Sequence, residues 1–126
     1  MNSYYRAFTL VEIMVVVVVI GLLAMMAFPL YAKVRQSAVR GTVKNDGAKV
    51  AGAAQRYCMD QGATTVPVSV LVGGTNGYLK QLSKGNTINV TDMHVDSTFS
   101  FEIGNPLLEA GGIIFDAEGH AVSDPY

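Results

Sequence analysis

Residues 8–30 read FTLVEIMVVVVVIGLLAMMAFPL, and what this stretch does decides how the rest of the chain folds. No charged residue occurs from Ile13 to Leu30, and Val15 to Val19 is an unbroken valine run. As a helix at about 1.5 Å per residue, Phe8 to Leu30 extends about 35 Å. A bilayer's hydrocarbon core is about 30 Å thick, so the segment is long enough to span it. Valine runs favour strands in water. In lipid, however, a lone segment must satisfy its own backbone hydrogen bonds, and helix wins.

Three readings compete for the segment. A secretory signal peptide needs a shorter apolar core and a small-x-small cleavage site, and Met25 spoils the candidate site after Ala27. A plain transmembrane anchor explains the length but not an acid near its start. A carboxylate in lipid costs at least about 2.5–3.5 kcal/mol on insertion scales. Glu12 therefore either has a partner there or reaches the interface from the end of the span.

The third reading comes from a family resemblance. Met1 to Ala7 is short and polar with one positive side chain, Arg6, and leads into Phe8-Thr9-Leu10-Val11-Glu12 and the apolar run. This arrangement resembles the class III signal of type IV pilins and type II secretion pseudopilins. The resemblance implies that a prepilin peptidase cuts between Ala7 and Phe8 on the cytoplasmic face and methylates the new amine of Phe8. It makes Glu12 the assembly-register glutamate, fifth in the mature chain, and makes Gly21 and Pro29 the pair that loosens the helix. The implied partners are further copies in a homo-oligomeric filament, the peptidase and an inner-membrane assembly platform. The implied location is the inner membrane, single-pass with the C-terminal head extracytoplasmic, and then a periplasmic or cell-surface filament. Two features depart from the pattern. Ala7 stands where the family usually has glycine, and Lys33 and Arg35 flank the far end of the span. By the positive-inside tendency those two cations favour a cytoplasmic C-terminal part, the reverse of the family's orientation.

The expected organisation is a leader at 1–7, a transmembrane and filament-core helix at 8–31, its amphipathic continuation at 32–61 and a head at 62–126. Val39, Val43, Val50, Ala54 and Tyr57 recur at helical spacing, interrupted by Asp46, and Gly62 is the stop signal. Gly47, Ala48, Ala51, Gly52, Ala53 and Ala54 form a small-residue cluster over which a sheet could approach the backbone closely. A head of roughly 65 residues has a modest core, so it needs the helix to pack on. Val66 to Val72 reads as a strand or a short helix, and Gly77 to Leu82 weakly resembles the matching stretch of major pseudopilins. Thr87–Val95, Thr98–Ile103, Ile113–Phe115 and His120–Ser123 read as strands, with turns at Asp96-Ser97 and Asp116–Gly119. The fold class is α+β: a long N-terminal helix, transmembrane in its first half, packed against a small antiparallel sheet.

The net charge of −1 hides an uneven distribution. Lys33, Arg35, Arg40, Lys44, Lys49 and Arg56 face only Asp46 in the stem, whereas acids dominate from Asp60 onward. These are either two solvated surfaces or a means for stems and heads of neighbouring subunits to attract. Cys58 is the only cysteine, so no intrachain disulfide forms, and it reads as a small packing residue. No nucleophile elbow, phosphate loop or zinc spacing occurs, and His94 and His120 read as isolated surface residues. No cofactor is expected. Calcium is the one ion considered, since major pseudopilins can bind it through C-terminal loops where Asp116, Glu118 and Asp124 could offer oxygens. The expected role is a structural filament subunit with no catalytic activity, of pilus or secretion-pseudopilus type. The lack of a head disulfide tilts toward the latter. The rivals are a membrane-tethered ligand- or DNA-binding module, although nucleic acid is not among the expected partners, and an anchored enzyme.

Overall fold

The structure, a computed structural model, describes residues 8–73 and 78–126. Its elements are α1 (Leu10–Gln61), β1 (Thr65–Pro67), α2 (Val68–Leu71), β2 (Thr87–Ile88), β3 (Asp92–His94), β4 (Ser100–Gly104), β5 (Ile113–Asp116) and β6 (Ala121–Ser123). The α+β layout expected from the sequence is present: a long N-terminal helix whose first part is apolar, followed by small antiparallel sheets. The chain divides into two compact units, Met1–Arg35 and Gln36–Tyr126.

In the first unit the described residues form helix from Leu10 onward, and the apolar side chains from Phe8 to Val34 are all exposed. α1 is the one helix among the described residues long and apolar enough to cross a membrane. It remains helical through Gly21 and Pro29, although Pro29 has no N–H to give to the carbonyl four residues back.

In the second unit the C-terminal part of α1 buries Val43, Asp46, Gly47, Val50, Ala51, Ala53, Ala54 and Cys58. Opposite them lies a four-stranded antiparallel sheet in the order β2-β4-β5-β6. Phe101 pairs with Phe115 and Ile103 with Ile113 across β4 and β5. All four are buried, because a period of two puts alternate residues on one face. The small residues of the helix do what their size allows. A Cβ built on Gly47 would collide with the Phe115 ring, so this ring lies directly on the helix backbone. Gly119, in the left-handed region at φ +87°, brings the β5–β6 turn against Ala48 and Ala51. The helix ends at Gln61 before Gly62, whose φ of +65° is the left-handed stop that glycine takes at low cost.

One strand expectation is corrected. Thr87–Val95 is not one strand. Thr87 and Ile88 pair with Gly104 and Ile103 of β4, whereas Asp92 to His94 pair with β1 in a separate two-stranded sheet. The chain changes sheets at residues 89–91, where Asn89 N–H donates to Glu102 O and Thr91 O accepts from Val68 N–H. Alternation of residue types carries no record of which partner a strand chooses. Val66 to Val72 is both of its alternatives in turn, since Thr65–Pro67 is strand and Val68–Leu71 is one turn of helix.

Candidate functional site

Thr9 precedes the first residue of α1 and is positioned as its cap. Its Oγ1 accepts from the N–H of Glu12 at 3.2 Å, and its carbonyl accepts from the same N–H at 3.1 Å. Thr-x-x-Glu is the sequence signature of such a start, and it was readable in Thr9 and Glu12 although the sequence reasoning passed over it. The cap engages the backbone of Glu12. Its carboxylate is in the first helical turn, where the helix dipole favours negative charge. Phe8 is 77% exposed, and Gly21 presents an open face with nothing within 4 Å of where a Cβ would stand. Ala7 lies outside the described residues, as does Gly77.

A second polar constellation lies in the second unit, and sequence reasoning registered only its centre as an interruption. Asp46 is 1% exposed on the buried face of α1. Its Oδ2 accepts from Ser83 N–H at 2.6 Å and from Asn86 Nδ2 at 2.8 Å, and its Oδ1 accepts from Ser83 Oγ at 3.0 Å. Asn86 Oδ1 in turn accepts from Asn105 Nδ2 at 2.7 Å, and Asn105 Oδ1 accepts from Leu107 N–H at 3.0 Å. Lys49 Nζ stands 3.7 Å from Asp46 Oδ1. A buried carboxylate persists only when hydrogen-bonded and paired, and this one is both. The network ties residues 83–86 and 105–107 to the helix, so its role is positional.

The acids considered for calcium do not gather into one set. Asp124 takes Lys44 Nζ at 2.7 Å and Arg40 Nε at 2.9 Å. The hydrogen bonds from Lys44 and then Arg40 hold its carboxyl down at about 2. Part of the stem's positive charge is therefore neutralised within the chain. Asp116, Glu118 and His120 do converge, with ligand atoms within 4.8 Å of one another, on the exposed β5–β6 turn. Asp116 Oδ1 there accepts the N–H groups of His120 and Glu118 at 2.8 and 3.0 Å, and the His120 bond leads in holding its carboxyl below the usual range. His94 is half-buried rather than a surface residue, bonded through Nδ1 to Thr65 Oγ1 and packed against Phe99. Cys58 is buried, and burial pushes its thiol up, as suits a packing residue.

No curated protein and no solved structure matches the chain. Residues 2–28 match the family model described as the prokaryotic N-terminal methylation motif. The matched span takes in Phe8, the Thr9 cap, Glu12, Gly21 and most of the exposed apolar helix, and ends one residue before Pro29. The chain thus carries the N-terminal methylation motif, the class III signal of type IV pilins and pseudopilins.

Proposed function

We propose that this chain becomes a structural, non-catalytic subunit of a type IV pilus-like filament or type II secretion pseudopilus. The match of residues 2–28 to the methylation motif carries the reading. Prepilin peptidase cleaves between Ala7 and Phe8 and methylates the Phe8 amine. Residues 8–31 hold the subunit in the inner membrane with its head extracytoplasmic. An assembly platform then feeds it into a filament of identical copies, stem packed on stem. The exposed apolar side chains from Phe8 to Val34 support this, since they are a surface that lipid or neighbouring stems can cover.

Glu12 sets the register in this mechanism. Cleavage leaves an ammonium on Phe8, and packing places it with the Glu12 carboxylate in an apolar bundle. One buried positive charge requires one negative neighbour, because an unpaired buried charge is costly. An incoming subunit satisfies its amine against Glu12 of a copy already in place or of its own chain, which favours one axial position. Gly21 and Pro29 weaken the helix between them. Glycine costs about 1 kcal/mol relative to alanine in a helix interior, and proline removes one donor. That section can bend or open when subunits pack.

Glu12→Ala is expected to insert and be processed normally and to yield little or no filament, measured by shearing cells and quantifying assembled against membrane-held subunit. Wild-type filament yield from Glu12→Ala would remove the register mechanism.

A further inference from the structure

The stem's basic residues do not all have the same fate. Arg40 and Lys44 are held by Asp124, and Lys49 lies beside Asp46. Arg56 is exposed and has no carboxylate partner among the described residues. The remaining residues, 1–7 and 74–77, contain no acid at all. Arg56 borders a groove of about 250 Å³ whose other walls are Lys49, Gly52, Ala53, Tyr78 and Leu79. Lys49 and Arg56 are seven residues apart on the helix, two turns or about 10 Å. One carboxylate entering between them could meet both. The floor is small and apolar, so the groove suits a ligand with one acid and one adjoining apolar side chain.

The acids of the second unit can be sorted in the same way. Asp46, Asp60, Asp96, Glu102, Asp116, Glu118 and Asp124 each have an intrachain partner. Asp92 and Glu109 have none among the described residues. Glu109 belongs to the exposed turn after β4, beside Pro106 and the exposed Leu107. That turn is firmly held. Leu108 is buried beneath it, Asn105 accepts from Leu107 N–H, and Ala110 N–H donates to Tyr126 Oη, which in turn donates to Gly111 O at 3.0 Å. It therefore presents Leu107 and Glu109 from a held backbone, with little backbone ordering left to lose on contact.

We infer that the Lys49–Arg56 groove receives the Pro106–Glu109 turn of a second copy of this chain, with Glu109 between the two cations and Leu107 against Ala53 and Leu79. The inference rests on the filament reading and supplies it with a head-to-stem contact. Groove and turn are different patches, so the contact is heterologous and propagates along an open array instead of closing a dimer. Opposite charges fix which faces meet, while the apolar stems supply most of the buried area.

The test is charge reversal in the full-length chain, scored as sheared filament against membrane-held processed subunit. Arg56→Glu and Glu109→Arg are each expected to lose most of the filament, with the amount of processed subunit and the head's unfolding midpoint unchanged. Combining the two is expected to recover assembly, which damage to the fold could not produce. Asp92→Lys is expected to assemble normally. Normal filament from either single reversal, or a double variant as defective as the singles, overturns the contact while leaving the filament reading intact. Loss of filament on Asp92→Lys with none on Glu109→Arg moves the contact to β3 and overturns the assignment. Absence of filament from the unsubstituted chain overturns the filament reading, and the contact with it.

Discussion

Asp46 and Asp124 show how differently two carboxylates of one small domain are employed. Asp46 is enclosed, and three protein donors plus Lys49 stabilise its charge. Asp46→Ala strands those donors, each costing about 1–3 kcal/mol when left unsatisfied. The substitution is expected to destabilise the head by about 3 kcal/mol. Asp46→Asn is expected to cost less, since an amide oxygen can still accept from Ser83 N–H and Asn86. Denaturant unfolding of the two variants in detergent provides the comparison, and equal losses would contradict this view of the network. Asp124 is at the surface between Lys44 and Arg40, its carboxyl depressed to about 2. An unfolded aspartate titrates near about 3.9. A depressed folded value means that the stabilisation is complete above about 3.9 and is lost as pH falls toward 2. Asp124→Asn is therefore expected to flatten the acid limb of the stability profile in that window and to be less stable than wild type at neutral pH. An unchanged limb would mean that the cluster of Arg40, Lys44 and Asp124 contributes nothing. Asp46 was visible in the sequence as an acid on an apolar face. Its partners were not, because Ser83, Asn86 and Asn105 belong to loops whose paths the residue pattern does not encode.

Among the elements, the C-terminal part of α1 was the most legible. Valine spacing, the small-residue cluster and Gly62 mark its buried face and its end in the sequence itself. The glycines of that helix separate two effects of opposite sign. Replacing an interior helical glycine with alanine gains roughly 1 kcal/mol of helix propensity where there is room. At Gly41 nothing lies within 4 Å of a new Cβ, so Gly41→Ala is expected to stabilise by up to about that amount. At Gly47 the same Cβ runs into the Phe115 ring, and overpacking typically costs about 1–3 kcal/mol. The steric term exceeds the propensity term, so Gly47→Ala is expected to destabilise by up to about 2 kcal/mol. Thermal unfolding of both variants tests the pair, and a stabilised Gly47→Ala would show that the ring moves aside freely. The strands were less legible. β4 and β5 carry Phe101, Ile103, Ile113 and Phe115 in clean alternation and were found to within two residues at each end. β2 and β3 were merged, because Thr87 to Val95 has strand-forming residues throughout while the change of sheet depends on distant partners.

At the level of the whole molecule, the chain carries a small folded unit of ordinary chemistry and an apolar helical segment with exposed side chains. The methylation motif gives it a meaning that fold alone does not, since many unrelated proteins place a sheet on a helix. Lys33 and Arg35 still pull against the proposed orientation, and the account requires the leader signal to prevail over that bias. Ala7 is the other departure, a small residue in place of the expected glycine, so cleavage is expected to be slower without failing. Intact mass and N-terminal sequencing of the protein isolated from its native membrane test both points together. The account predicts a chain beginning at N-methylated Phe8; one still beginning at Met1, or one beginning beyond Ala27, would contradict it.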